Sequence, residues 1–184
     1  INAGDGVDTV YGGADADTFV FQNPMGTNTI AGGETGNDND QIDLLNHAGE
    51  GVDLTFTGDE AGSITSSTGS TTFTEIEHFN LSMQADVVDA SADTTGLTLF
   101  GNGGNDTITG GSGDDLISGG EGDDLIRVED GFGTDTVNGV ETGETLGDTL
   151  DLSAVTGPLT INLTDANPES GLVTNGTDQI SYSN

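Results

Sequence analysis

The sequence predicts an all-β chain wound as a solenoid of short strands. Three observations carry that reading. Residues 101 to 127 repeat with a period of nine: Gly101-Asn102-Gly103-Gly104-Asn105-Asp106-Thr107-Ile108-Thr109, then Gly110-Gly111-Ser112-Gly113-Asp114-Asp115-Leu116-Ile117-Ser118, then Gly119-Gly120-Glu121-Gly122-Asp123-Asp124-Leu125-Ile126-Arg127. Fixed short periods are the mark of stacked repeats. Val52-Asp53-Leu54-Thr55-Phe56-Thr57 and Leu159-Thr160-Ile161-Asn162-Leu163-Thr164 alternate apolar with polar, the pattern of a half-buried strand. Helix signals are nearly absent, because Gly, Thr, Asp and Asn dominate and no stretch keeps an apolar stripe at helical spacing.

From the N-terminus, Ala3 to Val20 follow the same nine-residue pattern, with Asp8 and Asp17 nine apart. A longer period appears when this start is laid over the central block. Ile1 falls on Ile108, Asp8 on Asp115, Gly12-Gly13 on Gly119-Gly120 and Asp17 on Asp124, a shift of 107. The shift is 108 where Ile42-Asp43-Leu44 meets Leu150-Asp151-Leu152, and 109 where Thr72-Phe73-Thr74 meets Ser181-Tyr182-Ser183. The chain therefore holds about 1.7 copies of a unit of roughly 108 residues. Each copy is expected to divide into a Gly/Asp-rich coil, residues 1–40 and 85–148, and a Thr/Ser-rich half of strands, residues 41–84 and 149–184.

Within one nonapeptide, glycines at positions one, two and four permit a tight turn whose carbonyls point inward. Position six is Asp. Positions seven to nine form a short strand with the position-eight aliphatic, Ile108, Ile117 or Ile126, facing inward and its neighbours outward. Two nonapeptides make one turn of a flattened coil, so residues eighteen apart stack. Asp106 is then expected beside Asp124 on one edge, and Asp115 on the other edge, with Asp135 as its stacked partner.

The charge balance sharpens this picture. There are 33 acidic residues against one basic residue, Arg127, a net charge of -32, with only 31 % hydrophobic residues. Self-repulsion with so little burial leaves disorder or a bound source of positive charge. Nucleic-acid phosphates and anionic lipid surfaces would be repelled, which excludes both as partners, and no apolar run approaches the length of a membrane helix. The start Ile1-Asn2-Ala3-Gly4 is neither an initiator Met nor a signal peptide, so an excerpt of a longer chain is expected. Absence of Cys removes disulfides and thiolate sites. Carboxylates stacked at about 4.8 Å repel unless a cation lies between them. Oxygen donors in flexible loops specify calcium over zinc, copper or magnesium.

At these residues the chain resembles the RTX (repeats-in-toxin) hemolysin-type proteins, whose repeat is Gly-Gly-x-Gly-x-Asp-x-(large apolar)-x. The match is near complete over 101 to 127 and good over Ala3 to Val20. The resemblance implies a parallel β-roll, or β-helix solenoid, with several calcium ions in its Gly/Asp turns, export by a type I apparatus and folding outside the cell. It implies Asp8, Asp17, Asp106, Asp115, Asp124 and Asp135 as calcium carboxylates, and Gly101, Gly103, Gly110, Ser112, Gly119 and Glu121 as further ligands from the turns. Departures from the pattern leave several places open. Asp15 stands where the turn has Gly, and Asn28 stands where the second copy has Asp135. The turns holding Asp38, Asp40 and Asp148 carry extra residues, and Ala85-Asp86-Val87-Val88-Asp89 lacks the glycines.

Catalytic signals are weak. His47 and His78 have no Cys partner and no Gly-x-Ser-x-Gly elbow, so ordinary surface or strand histidines are expected. Glu75 and Glu77 would share a strand face about 7 Å apart, a spacing that imitates a glycosidase pair, yet the second copy has Asn184 opposite Glu75. The expected function is a non-catalytic, calcium-stiffened segment of a large secreted repetitive protein: an adhesin, a rod or an extracellular filament. Its partners would be calcium and neighbouring repeats or other copies of the chain. The alternative is a calcium-dependent folding and secretion module attached to a secreted protease, lipase or polysaccharide-modifying enzyme.

Overall fold

Alternating residues and glycine turns are realised as a coil. The computed structural model describes residues 1–4, 6–22, 25–33, 39–139, 147–163 and 170–183; Asp38 and Asn184 lie outside them. Among the described residues every regular element is a strand. The chain begins with β1 (Thr9–Tyr11), β2 (Thr18–Gln22), β3 (Gly26–Ala31) and β4 (Gln41–Asn46). A three-strand meander follows, β5 (Asp53–Gly58), β6 (Ala61–Ser66) and β7 (Gly69–Thr74). The coil resumes through β8 (His78–Asn80), β9 (Val87–Asp89), β10 (Thr98–Gly103), β11 (Thr107–Thr109), β12 (Leu116–Glu121), β13 (Leu125–Arg127), β14 (Thr134–Asn138) and β15 (Thr149–Asp151). A second meander closes the described chain: β16 (Thr160–Leu163), β17 (Ser170–Thr174) and β18 (Gln179–Ser183).

Successive coil strands fall alternately into two nine-stranded sheets. The first has the order β1-β3-β7-β6-β5-β9-β11-β13-β15, the second β2-β4-β8-β10-β12-β14-β18-β17-β16. Coil strands pair in parallel, Thr98 with Leu116 and Thr107 with Leu125, so two nonapeptides make one turn. The fold is a parallel β-roll. Among the described residues only the meanders pair antiparallel internally, and they join the coil through parallel pairs, β3 to β7, β5 to β9 and β14 to β18.

The position-eight residues Ile108, Ile117 and Ile126 are all buried. They continue inner rows from each sheet, Leu54-Val88-Ile108-Ile126 facing Phe19-Ile42-Phe79-Leu99-Ile117. At the first meander Phe56, Phe73 and Phe79 pack edge to face between the sheets at 5.1–5.4 Å. Two details differ from the sequence expectation. In the second sheet β10 and β12 run six residues, through the glycine positions, because Asn102 and Gly120 also pair. Thr109, at an outward position, is only 9 % exposed, flanked in register by the longer Asp89 and Arg127.

Candidate metal centres in the turns

Each nonapeptide turn is shaped by the contact between its first glycine and its Asp. A Cβ built on Gly101 would lie 2.2 Å from Asp106 Oδ2 and 2.2 Å from the Gly119 carbonyl oxygen of the next coil. The same cradle recurs at Gly119, whose Cβ would meet Asp124 Oδ2 at 2.2 Å, and at Gly12, where Gly32 O and Asp17 Oδ2 stand at 2.3 and 2.7 Å. At Gly110 the corresponding approach, to Asp115 Oδ2, is 2.9 Å. Only a residue without a side chain lets the carboxylate fold back against its own turn beside a neighbouring carbonyl. The fourth glycine has a different reason: a Cβ on Gly122 would meet Gly104 O at 2.0 Å, so coils touch backbone to backbone there.

The carboxylates form two ladders along the two edges of the roll. On the edge leading into the first sheet, Asp86 N–H donates to Asp106 Oδ1 at 2.8 Å, Asp106 N–H to Asp124 Oδ1 at 2.7 Å and Asp124 N–H to Asp148 Oδ1 at 2.9 Å. On the edge leading into the second sheet, Leu97 N–H donates to Asp115 Oδ1 at 2.9 Å and Asp115 N–H to Asp135 Oδ1 at 3.0 Å. Further down that edge Asp17 N–H donates to Asp40 Oδ1 and Asp40 N–H to Glu77 Oε2, each at 2.7 Å. The structure thus brings Asp106 together with Asp124 and Asp115 with Asp135, and places Asp17 in a separate rung with Asp40.

One oxygen per carboxylate is used in this way, and the other decides whether a cation fits. Asp106 is 1 % exposed, and its Oδ2 is buried without a hydrogen-bond partner. Asp8 Oδ2 and Asp148 Oδ2 are in the same condition. A buried carboxylate oxygen facing carbonyls lacks any protein donor; it is satisfied by a hard cation or, without one, by a proton. Burial, with Asp86 and Asp124 nearby, pushes the Asp106 carboxyl up to about 8. Burial likewise lifts Asp135 to about 7 and Asp115 to about 6. Asp115 differs from Asp106 in one respect, because its Oδ2 accepts the Gly111 N–H at 3.1 Å. The two edges are not equivalent.

Where the sequence departs from the repeat, protein donors take over. Asp86 is 1 % exposed, but Oδ1 accepts from Val52 N–H and the Ser82 hydroxyl, and Oδ2 from Ser82 N–H. Burial still raises it to about 6. Asp93 is held by Glu60 N–H and by the Thr95 N–H and hydroxyl. Asn28 accepts the Asp8 N–H as Asp135 accepts that of Asp115, and its amide donates to Met25 O at 2.7 Å. Asp15 keeps the left-handed backbone of the glycine it replaces, with φ of 72°.

Gly101, Gly103 and Gly119 are buried in the strands leading into the turns, Gly110 is half-buried, and Ser112 and Glu121 are exposed. The Glu121 carbonyl accepts the Gly104 N–H, which leaves its side chain to solvent. Among the described residues no three His, Asp or Glu side chains converge on one point. A cation in these turns would be held by one or two Asp carboxylates and by backbone carbonyls, the donor set hard ions accept.

The remaining candidates have structural tasks. Glu75 and Glu77 lie in the turn after β7, not along a strand face, and cap Gly33 N–H and Asp40 N–H from the coil below. His78 is half-buried at the start of β8. His47 is 1 % exposed with both ring nitrogens lacking partners, and burial lowers its pKa. It is therefore a buried histidine just past β4, neither on the surface nor in a strand.

The profile of the RTX calcium-binding nonapeptide repeat matches in four copies over residues 1–20 and 98–126. No curated protein sequence matches the chain. Among solved structures, the chain is similar to a subunit of the Azotobacter vinelandii mannuronan C5-epimerase at 18 % identity, over 93 % of this chain and 72 % of that one, with a TM-score of 0.32. It is also similar to an extracellular lipase from Serratia marcescens at 21 % identity, over 98 % of this chain and 37 % of that one, with a TM-score of 0.30. The chain thus spans little more than a third of the lipase.

Proposed function

From the premise that residues 1–20 and 98–126 are RTX calcium-binding nonapeptide repeats, we propose that the chain is a calcium-stiffened structural segment of a large exported protein. In this reading calcium joins the coils at Asp8, Asp17, Asp106, Asp115, Asp124 and Asp135, with the carbonyls of the adjacent glycine turns. Residues 1–40 and 85–148 are the calcium-dependent coils, and 41–84 and 149–184 are spacers that need few ions. The observation that supports it is the continuity of both sheets past the first meander: the second stays parallel through β4, β8 and β10, and the first takes in the antiparallel strands β7, β6 and β5 and resumes parallel pairing at β9. Repetition of this kind lengthens a solenoid. The side chains with catalytic chemistry, Glu75 and Glu77, cap backbone N–H groups of the coil below, which supports a non-catalytic role.

A calcium-dependent coil suits export, because a chain that folds only on meeting calcium crosses a secretion channel unfolded. The test is the sequence and electron microscopy of the full-length secreted protein. Further copies of the 108-residue unit in an elongated particle are expected. A hydrolase or epimerase domain carrying this segment as its only repeat array would instead favour a folding and secretion module.

A further inference from the structure

We infer that the repeating unit contains an odd number of half-coils, so that successive units carry their meanders on opposite sides of the roll. The inference rests on strand order and not on which ion occupies the turns. By sequence β4 and β15 are equivalent, since Ile42-Asp43-Leu44 lies over Leu150-Asp151-Leu152. Yet β4 belongs to the second sheet and β15 to the first. The meander that follows each is displaced in the same way, β5 to β7 in the first sheet and β16 to β18 in the second. From β4 to β15 the chain crosses between sheets nine times, the three meander strands β5 to β7 lying together in the first sheet.

The parity has a mechanical consequence. From β3 to β9 the first sheet takes four strand steps, while the second takes two from β4 to β10. Two extra strands at about 4.8 Å, on sheets about 10 Å apart, bend the axis by roughly one radian away from the first sheet. The second meander places its extra strands in the opposite sheet, and both sheets reach nine strands. The two bends have opposite sense and cancel; an even count would make them add and curl the roll. What alternates between the sides is a hydroxyl-rich surface, exposed Thr55, Thr57, Thr65 and Thr72 on the first meander and Ser181 on the second, in a molecule otherwise crowded with carboxylates.

Deletions of nine and eighteen residues separate parity from length. Removing 110–118 places Asp124 eighteen residues after Leu97, as Asp115 is now, and Asp135 twenty after Asp106, the present separation of Asp115 and Asp135. Every rung can reform, with all later strands moved to the other sheet. Removing 101–118 deletes a whole coil and keeps the faces. The chain has no Cys, so spin labels at Val87→Cys, outward on the first sheet, and Ser181→Cys, outward on the second, report their separation by dipolar spectroscopy in calcium. The nine-residue deletion is expected to bring the labels onto one face and shorten the distance by roughly 10 Å or more, the thickness between stacked sheets, with added curvature in solution scattering. The eighteen-residue deletion shortens it by about one strand step, near 5 Å. An unchanged face in the nine-residue deletion, or loss of its β-structure in calcium while the eighteen-residue deletion folds, overturns the inference. Folding that ignores calcium in all three chains would instead count against the metal reading and leave the label distances interpretable.

Discussion

At Gly101 the absence of a side chain is what lets a carboxylate turn inward. Gly101→Ala sets a methyl 2.2 Å from both Asp106 Oδ2 and Gly119 O, and backbone on one side cannot retreat. A loss of about 1–3 kcal/mol is expected, read by denaturation in saturating calcium. Gly157→Ala is the control, because nothing lies within 4 Å of the added atom, and it should be nearly neutral. The charge itself is tested by Asp106→Asn, which retains an acceptor for Asp86 N–H and replaces the charged Oδ2 by an amide nitrogen that cannot ligate. Asn28 shows that an amide is structurally tolerated at such a rung. Calorimetric titration should give fewer bound calcium ions for Asp106→Asn than for the exposed control Glu129→Ala. Asp59 is a poor control despite its exposure, since its carboxylate holds the Thr94 N–H and hydroxyl.

At the scale of the ladder, raised carboxyl pKa values make the calcium-free roll sensitive to pH. Asp106 at about 8, Asp135 at about 7, and Asp86 and Asp115 at about 6 all lie above the unfolded value near 3.9. The folded state therefore binds more protons, and its stability is full at low pH and falls as pH rises through these values. His47 and His78, lowered by burial, act in the opposite sense below about 6.5. In chelator, β-structure should thus increase as pH falls from 8.5 to 6.5, with protons substituting for calcium. Circular dichroism that is flat over this window, or that rises with pH, contradicts the burial of uncompensated carboxylates. The regular rungs were legible beforehand because Asp106 and Asp124 repeat at eighteen and Asp115 and Asp135 at twenty. The rungs from Asp17 to Asp40 and Asp40 to Glu77 span 23 and 37 residues; no period marks them. Ser82 as the donor that satisfies Asp86 was likewise hidden, since one hydroxyl and one N–H leave no pattern.

For the whole molecule, the all-β coil was legible from glycine and Asp spacing together with the inward row of Ile108, Ile117 and Ile126. The placement of the meanders was not. Alternation in Val52 to Thr57 announces a strand but not its sheet, which depends on counting every half-coil between the two copies. Burial of His47 was also invisible, because its neighbours in sequence are polar or small. With one basic residue, whose nearest carboxylate approach is 3.9 Å from Arg127 to Asp151 at the surface, the chain has no internal source of charge compensation on the scale of its 33 acidic residues. Bound cations supply it in this account, and their binding free energy becomes folding free energy. Circular dichroism of the intact chain at neutral pH, titrated from chelator to millimolar calcium, tests this most directly. A cooperative passage from coil to β-structure, reversed by chelation, is the predicted result; an undiminished β-signal after exhaustive removal of calcium would contradict it.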